Sequence, residues 1–269
     1  MAPLRVGIGG FGAIGRKVAA ALDAGIPGLA LAAVSARRVP QAEAAMAGFR
    51  TAVPVVALGD LAAQADVVLE CCPAAFFDEV AGPAIEHGRI FMPLSVGQLL
   101  PRPALIERAK QTGARILVPS GALLGLDAVR AAAEGTIRSV RMITRKPPGG
   151  LAGAPYLVEN KIAVEEFTVP TKVFEGTARE GAKGFPANVN VAAALSLAGI
   201  GPDETRLEIW ADPTVDRNMH RIEVEADSAR FTLEIANVPS EENPRTGRIT
   251  ALSAIATLRG LTSSLRVGT

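Results

Sequence analysis

Short apolar runs alternate with helical patterns over the first 120 residues of the chain. The runs are hydrophobic at nearly every position, which is typical of parallel strands covered by helices on both faces. Since connections between such strands are right-handed, the pattern predicts an α/β fold with a doubly wound parallel sheet. Strands are predicted at residues 4–8, 29–34, 53–56, 65–70, 89–94 and 115–118, and helices at residues 13–24, 74–86 and 103–112.

After residue 120 the pattern changes, because strands with alternating character follow one another with few helices between them. This succession predicts an α+β domain with a mostly antiparallel sheet. We expect a first domain over residues 1–120, a second over 121–242, and a C-terminal helical segment, 243–269, that returns to the first. The predicted strands are residues 137–144, 163–169, 172–176, 205–211, 220–226 and 229–236, and the helices lie near 127–134, 187–198 and 247–260.

The turn after the first predicted strand carries glycines at the spacing G-x-G-x-x-G. Between a strand and a helix, the first glycine permits a tight turn and the second lets the backbone approach a diphosphate, while the third lets helix and sheet pack closely. Free N–H groups at the helix start favour the phosphates. The motif predicts a Rossmann-type dinucleotide-binding domain; the alternative is a turn with a structural role only. Its candidate cofactor-binding residues are Gly10, Phe11, Gly12, Ala13 and Ile14.

The end of the second predicted strand lacks the acidic residue that usually binds the ribose hydroxyls of NAD. Arg37 and Arg38 stand there instead. Arginines at this position accommodate the 2′-phosphate of NADP. We therefore predict that NADP is accepted at least as well as NAD, the alternative being that both arginines are solvated loop charges.

Composition and charge exclude several classes of function. The net charge of +1 provides no field that would attract nucleic acid or an acidic membrane surface. Aromatic residues make up only 4% of the chain, too few for a surface on which bases stack. No run of about 18 apolar residues is present, so no transmembrane helix is expected. We expect a small-molecule substrate and neither nucleic acid nor membrane as a partner.

The two cysteines of the chain, Cys71 and Cys72, are neighbours. Adjacent cysteines seldom pair and no metal-ligand spacing exists, so neither a disulfide framework nor a metal site is predicted. A reducing, cytoplasmic setting fits this usage. Both residues are most simply small apolar groups that close a buried strand. The alternative is a place in the lining of a nicotinamide pocket, which makes Cys72 a candidate cofactor-binding residue.

The chain has two histidines, and histidine is the side chain best suited to hold or release a proton near neutral pH. His87 ends a predicted helix, where a cation is favourable, so its expected role is structural. His220 shares one face of its predicted strand with Ile222 and Val224. From position alone, His220 reads as a core histidine.

Several segments of the C-terminal half, together with the glycine turn, resemble the L-aspartate dehydrogenase family. The resemblance implies a Rossmann domain plus a catalytic domain. It also implies oxidation of L-aspartate to iminoaspartate with NAD or NADP, the product being hydrolysed to oxaloacetate and ammonia or used in NAD biosynthesis. The segments that carry it are Ser120-Gly121-Ala122, Thr144-Arg145-Lys146-Pro147-Pro148, the run from Gly184 to Ala192, Asp212-Pro213, the run from Asn218 to Glu223, and the run from Glu242 to Thr246.

The resemblance also implies roles for individual residues. The catalytic histidine of the family falls on His220, and its contacts on the nicotinamide side fall on Ala122 and Asn190. The chain departs from the family pattern at residues 71–75, where the family has a small residue, Gly and His, and at Gly247, where Ser is common.

Aspartate carries two carboxylates, which cationic or amide groups must bind. Arg145 and Lys146 follow a predicted strand and are candidates, the alternative being that they are solvated loop charges. Asn188 is a further candidate for substrate binding. Asn243 and Thr246 precede the last predicted helix, and Thr246 is equally suited to cap it.

Three functional hypotheses remain open beside one another. The first is an amino-acid dehydrogenase for L-aspartate, and the second has the same fold but another small amino or oxo acid as substrate. The third is a non-catalytic protein that binds and senses NAD(P). A reaction like that of glyceraldehyde-phosphate dehydrogenase needs a cysteine after the cofactor domain, and none follows Cys72. The alternating strands favour a homo-oligomer, most simply a homodimer.

Overall fold

The structure is a computed structural model that describes residues 2–242 and 247–268. Two compact units divide the chain. Unit 1 comprises Met1–Pro119 and Thr250–Arg266, and unit 2 comprises Ser120–Ile249 and Val267–Thr269. Asn243 and Thr246, both candidates for substrate binding, lie outside the described residues.

Unit 1 alternates strands and helices, as its apolar runs predict. All neighbouring strands of its sheet are parallel, in the order β2-β1-β3-β4-β5, which confirms the doubly wound α/β prediction. Its elements are β1 (Leu4–Gly9), α1 (Ala13–Gly25), β2 (Leu29–Ser35), α2 (Val39–Met46), α3 (Leu61–Gln64), β3 (Val67–Glu70), α4 (Phe77–Glu86), β4 (Ile90–Pro93), α5 (Pro103–Thr112) and β5 (Arg115–Ile116).

The central strands of unit 1 are covered on both faces. The consecutive residues Val67, Val68 and Leu69 of β3 have no exposed surface, and residues 6–8 of β1 are likewise buried, so neither strand alternates between buried and exposed positions. The strand predicted at residues 53–56 is wrong, because only Val55 forms an isolated bridge there. Pro54 has no N–H group to donate to a ladder, which explains why a regular strand does not form.

Unit 2 contains one mixed sheet with helices beside it. The strand order is β10-β9-β6-β8-β7, and only the β6–β8 pair is parallel, so the prediction of a mostly antiparallel sheet is confirmed. The elements are α6 (Leu126–Ala133), β6 (Ile137–Lys146), α7 (Pro155–Glu159), β7 (Thr171–Thr177), α8 (Ala178–Gly184), α9 (Asn190–Ala198), β8 (Arg206–Ala211), β9 (Met219–Ala226) and β10 (Arg230–Ala236).

Two local predictions in unit 2 need correction. The strand predicted at residues 163–169 is instead a short 3₁₀ turn at Val164–Glu166, and Val169 is largely exposed. Helix α8 was not predicted, although Thr177 and Glu180 form a complete capping box at its start. The T-x-x-E spacing that signals such a box is present in the sequence and marks the helix start.

The last helix, α10 (Arg248–Gly260), supplies buried residues to the core of unit 1. Ala254 and Leu258 have no exposed surface, and the hydroxyl of Thr262 just beyond the helix donates a hydrogen bond to the carbonyl of Pro27. From Thr250 to Arg266 the chain therefore belongs to the first unit.

Candidate active site

The glycine turn joins β1 to α1 at the carboxyl edge of the parallel sheet. Gly10 has a φ of +106°, and a Cβ added there would lie 2.6 Å from the carbonyl oxygen of Cys71. A Cβ at Gly15 would lie 2.0 Å from the carbonyl oxygen of Gly10, so the close packing of helix on turn requires glycine. Around Gly12 the space is open, since an added Cβ would meet no atom within 4 Å. This arrangement fits a diphosphate that approaches the backbone at Gly12.

The start of α1 fits the same ligand. No side chain caps the helix at Gly12, and Ala13 and Ile14 form its first turn. The N–H groups of a first turn have no intrahelical acceptor and favour an anion. Phe11 is buried, and its carbonyl accepts a hydrogen bond of 3.2 Å from Nε of Arg16.

Arg37 and Arg38 follow the last residue of β2 and are both exposed. Arg38 donates to Oε1 of Gln41 at 3.2 Å. The segment carries positive charge at the strand end where a dinucleotide's adenosine ribose is bound in this fold.

In unit 2, three polar side chains share the buried face of the sheet. Thr144 and Lys146 lie two residues apart on β6, and His220 lies on β9 directly opposite Thr144. Oγ1 of Thr144 and Nδ1 of His220 are 3.1 Å apart. Antiparallel pairing therefore brings together residues that are far apart along the chain.

Lys146 is a buried ammonium group with an amide as its partner. Its Nζ donates a hydrogen bond of 2.7 Å to Oδ1 of Asn188, and only 6% of the residue is exposed. Within the described residues no carboxylate forms an ion pair with it. Burial lowers the pKa of Lys146 to about 8. A buried cation without a countercharge is energetically costly and is typical of a site for an anion.

His220 lies beside this cation and is itself 4% exposed. Burial, and secondarily the charge of Lys146, lowers the pKa of His220 to about 3. At neutral pH the imidazole is therefore neutral while Lys146 is mostly charged. The neutral imidazole has a free lone pair, but burial and the cation beside it oppose its protonation.

Ala122 and Asn190, the candidates from the nicotinamide side, also lie in unit 2. Asn190 begins α9, two residues after Asn188. The carbonyl oxygen of Ala122 accepts a hydrogen bond of 3.0 Å from Nδ2 of Asn237. Oδ1 of Asn237 is buried and has no hydrogen-bond partner in the described structure. A Cβ at position 247 would lie 3.0 Å from Oδ1 of Asn237. Gly247, which stands where Ser is common in the family, therefore leaves space beside this oxygen.

Arg145 does not join the cluster around Lys146. It lies on the opposite face of the sheet, pairs with Asp212 at 3.0 Å, and its guanidinium lies 4.9 Å from the ring centroid of Trp210. His87 is also separate, since its Nδ1 lies 2.9 Å from the carbonyl oxygen of Pro83 at the end of α4.

The thiols of Cys71 and Cys72 are both protonated near neutral pH. Burial, followed by the carboxylate of Glu70, raises the pKa of Cys72 to about 12, and burial raises the pKa of Cys71 as well. Sγ of Cys71 lies 3.0 Å from the carbonyl oxygen of Gly10. Since thiolates and not thiols are nucleophiles, this position does not favour covalent catalysis.

Family comparisons cover both units. The family model described as "Aspartate dehydrogenase, C-terminal" matches residues 127–261, and that described as "Homoserine dehydrogenase, NAD binding domain" matches residues 10–119. L-aspartate dehydrogenase of Bradyrhizobium diazoefficiens is 55% identical over 266 residues, 99% of this chain and 94% of the relative. The chain belongs to the aspartate dehydrogenase family. L-aspartate dehydrogenase 3 of Bordetella bronchiseptica is 50% identical over 99% of this chain and 98% of the relative.

A solved structure agrees with this membership at the level of the fold. Aspartate dehydrogenase from Thermotoga maritima superposes with a TM-score of 0.73 at 24% sequence identity, covering 98% of this chain and 99% of that one. As a member of the aspartate dehydrogenase family, the chain is an oxidoreductase with an NAD-binding domain, and its cofactor is NAD(P).

Sequence reasoning did not assign a role to three polar residues of the aspartate dehydrogenase fold. Thr144 contacts His220, Asn237 holds the loop at Ala122, and Glu70 is wholly buried at the end of β3. A signal existed for Glu70, because an acid inside a strand that is otherwise apolar is unusual. The partners of Thr144 and Asn237 depend on strand pairing, which the sequence does not display.

The described residues contain neither a candidate metal centre nor a candidate membrane span. No group of three or more potential metal ligands comes together among them. No helix in the same part of the chain is long and apolar enough to cross a membrane.

Proposed function

We propose that the chain oxidises the amine of L-aspartate to iminoaspartate. Iminoaspartate then hydrolyses to oxaloacetate and ammonia or feeds NAD biosynthesis. The observation that carries the proposal is the buried Lys146 beside His220 in unit 2, in a chain whose relatives bear the name L-aspartate dehydrogenase. When bound, a nicotinamide cofactor supplies the hydride acceptor.

The substrate's negative charge would be met by Lys146. Two of the three N–H donors of its ammonium group have no acceptor among the described residues, because Asn188 takes one. A carboxylate bound there would compensate the positive charge of Lys146, which burial has removed from water. Asn188 holds Lys146 in place and is within reach of the same group. Asn243 and Thr246 stay candidates for the second carboxylate. Arg145 is left out of this proposal, because it pairs with Asp212 on the opposite face of the sheet.

His220 would take the proton from the substrate amine. In the tautomer whose Nδ1–H donates to the Thr144 hydroxyl, Nε2 keeps a free lone pair, and the proposal assigns this tautomer to the free enzyme. A carboxylate on Lys146 cancels part of the positive charge that lowers the pKa of His220, so substrate binding makes the imidazole a stronger base. Binding of an acidic substrate and proton transfer are thereby coupled.

The cofactor would be held by the glycine turn and by groups beside it. The backbone at Gly10, Phe11, Gly12, Ala13 and Ile14 would bind the diphosphate. Arg37 and Arg38 would bind a 2′-phosphate, which supports use of NADP at least as well as NAD. The nicotinamide half is assigned to Cys72, Ala122 and Asn190.

A reducing, cytoplasmic setting and assembly into a homo-oligomer, most simply a homodimer, complete the proposal. Both cysteines are free thiols, which supports the first part. The second is supported by the face of the unit 2 sheet that carries Arg145 and Trp210, where both side chains are only half-buried. Sedimentation at several protein concentrations tests the assembly.

The decisive experiment follows the absorbance of the reduced cofactor with a panel of amino acids, with NAD and with NADP, and then with oxaloacetate plus ammonium. We expect the highest kcat/KM with L-aspartate and a kcat/KM for NADP at least equal to that for NAD. Turnover of another small amino acid but not aspartate would favour the second hypothesis. No turnover with any amino acid would favour a sensor, and a large preference for NAD would contradict the assignment of Arg37 and Arg38.

A further inference from the structure

Glu70 is a charged residue in the interior of unit 1. It is the last residue of β3, has no exposed surface and pairs with Gly9 of β1 on one side and with Pro93 of β4 on the other. A carboxylate in such a place costs several kcal/mol unless the protein supplies hydrogen-bond donors. The hydrogen-bond donors of the Glu70 carboxylate therefore show which segments of the chain this side chain fixes.

All donors to Glu70 come from the two loops that follow β3 and β4. Oε1 accepts hydrogen bonds from the backbone N–H of Cys72 at 3.1 Å and the hydroxyl of Ser95 at 3.0 Å, and Sγ of Cys72 lies 3.4 Å away. Oε2 accepts the backbone N–H of Ser95 at 3.0 Å. No cation pairs with it among the described residues.

Two of these contacts favour the ionised form of the side chain. Two of the donors are backbone N–H groups, which only donate, and they contact different oxygens of the carboxyl group. Burial raises the pKa of Glu70 by more than the hydrogen bonds from Ser95 and Cys72 lower it, so the pKa lies above its ordinary value. A carboxylate with donors on both oxygens links the two loops more firmly than a neutral side chain would.

The first of these loops also contacts the glycine turn. The N–H of Cys71 donates to the carbonyl of Gly9 at 2.8 Å, and Sγ of Cys71 lies 3.0 Å from the carbonyl oxygen of Gly10. Glu70 is thus connected through the next residue to the turn, and through Ser95 to the loop after β4. The carboxylate joins the two loops, and Cys71 joins the first of them to the glycine turn.

The strand order says which part of the cofactor lies over these segments. In a doubly wound fold the adenosine ribose is bound at the end of β2 and the diphosphate at the turn after β1. Since β1 is followed in the sheet by β3 and β4, the nicotinamide half extends toward the ends of those two strands. The loops held by Glu70 lie there.

We propose that Glu70 is a positioning residue of the cofactor site, which fixes the two loops that would hold the nicotinamide half and places a negative charge at that part of the site. The nicotinamide ring is cationic when oxidised and neutral when reduced, so a fixed negative charge favours the oxidised form. This inference goes beyond the proposed function, because it depends on cofactor binding and not on which amino acid is oxidised.

The test measures binding of the oxidised and reduced cofactor to the protein without substrate, by calorimetry and by fluorescence of the reduced form. Glu70→Gln removes the charge at nearly constant size. We expect it to weaken binding of the oxidised cofactor by about tenfold and that of the reduced cofactor by clearly less. Asp66→Asn is the matched control, because Asp66 precedes the same strand at its other end and pairs with Arg5. It should leave both affinities unchanged.

Two results would overturn the inference. One is a folded Glu70→Gln protein whose affinities for both cofactor forms equal those of the unchanged protein, which would limit Glu70 to stability. The other is an equal loss of affinity for the oxidised and the reduced cofactor, which would show that the charge of Glu70 does not distinguish them. If Glu70→Gln does not fold, Ser95→Ala decides, since it deletes one donor to the carboxylate. We expect Ser95→Ala to weaken binding of the oxidised cofactor about threefold, and an unchanged affinity would refute the proposal. A failure to turn over aspartate would alter none of these binding results.

Discussion

Among the described residues, each unit buries one charged side chain at the end of a strand without a countercharge, and the two side chains differ in how many of their hydrogen bonds are made. Glu70 ends β3 of unit 1 and receives donors from two loops on both of its oxygens. Lys146 ends β6 of unit 2 and has one amide oxygen as its partner. A charge whose hydrogen bonds are all made within the protein holds the chain in position. A charge that keeps free donors is ready for a ligand.

The largest expected effect tests whether His220, in the cluster with Thr144 and Lys146, takes part in catalysis. His220→Asn should lower kcat for aspartate by about 10³-fold, within the range of about 10²–10⁴ for loss of a general base, with KM changed only a few-fold. Steady-state kinetics with saturating cofactor measure this. His87→Asn is the control, since His87 is exposed at a helix end. Near-normal kcat in His220→Asn would refute the catalytic role.

The second effect concerns stability against acid. The pKa of His220 is about 3 in the folded protein and near 6.5 when exposed, so between these values the unfolded chain binds the extra proton. Stability that is present above pH 6.5 is therefore lost as the pH falls toward 3. Between pH 7 and pH 4 the loss from this residue is about 3 kcal/mol. Over this pH interval the free energy of unfolding, measured with urea, should fall by about 3 kcal/mol less for His220→Gln than for the unchanged protein. An equal fall for both proteins would contradict a buried, neutral His220.

The third effect contrasts the two buried charges directly. Lys146→Met removes a cation with one partner, so it should keep or raise Tm while lowering kcat/KM for aspartate about 100-fold, mainly through KM. Glu70→Gln leaves buried donors poorly satisfied and should lower the free energy of unfolding by about 1–3 kcal/mol. Thermal unfolding and kinetics on both variants measure the contrast. Lys172→Met, at a half-exposed lysine on β7, should change neither quantity, and a destabilised Lys146→Met would break the distinction.

The smallest effect separates two glycines of the same turn. Gly12→Ala adds a methyl group into open space, so Tm should be unchanged while KM for the cofactor rises about tenfold, because the diphosphate approaches there. Gly10→Ala serves as the contrast, since its positive φ and the 2.6 Å approach to Cys71 require a backbone shift and should lower Tm. An unchanged cofactor KM in Gly12→Ala would place the diphosphate elsewhere.

The sequence predicted the parallel sheet and the glycine turn because both signals are local. Apolar runs and G-x-G-x-x-G need only neighbouring residues to be recognised, and α5 was predicted with the bounds it has. The strand predicted at residues 53–56 is reduced to a bridge between Val55 and Val34, because Pro54 cannot donate to a ladder. At residues 163–169 no strand forms, since the segment finds no partner strand. An apolar run forms a strand only if another strand accepts its hydrogen bonds, and that partner is not encoded nearby.

Arg145 and Lys146 show where prediction of the site ended. The predicted strand stopped at residue 144, which left both side chains in a loop as equivalent cations. In the structure β6 continues to Lys146 because its carbonyl accepts a hydrogen bond of 2.8 Å from the N–H of Asp212, beyond the end of β8. Alternation along the extended strand then turns Lys146 into the buried face and Arg145 out of it.

The sequence by itself determined the glycine turn and the two kinds of sheet, since these follow from residue type and spacing. The choice of His220 as candidate base came from the family resemblance, because its position alone favours a core histidine. The tertiary structure decided that Lys146 meets His220 across two strands and that Glu70 finds its donors at Ser95. Both arrangements involve a charged group, Lys146 or Glu70, that is buried away from water. Their energies depend on the groups that strand pairing brings within a few ångströms, which periodicity along the chain does not specify.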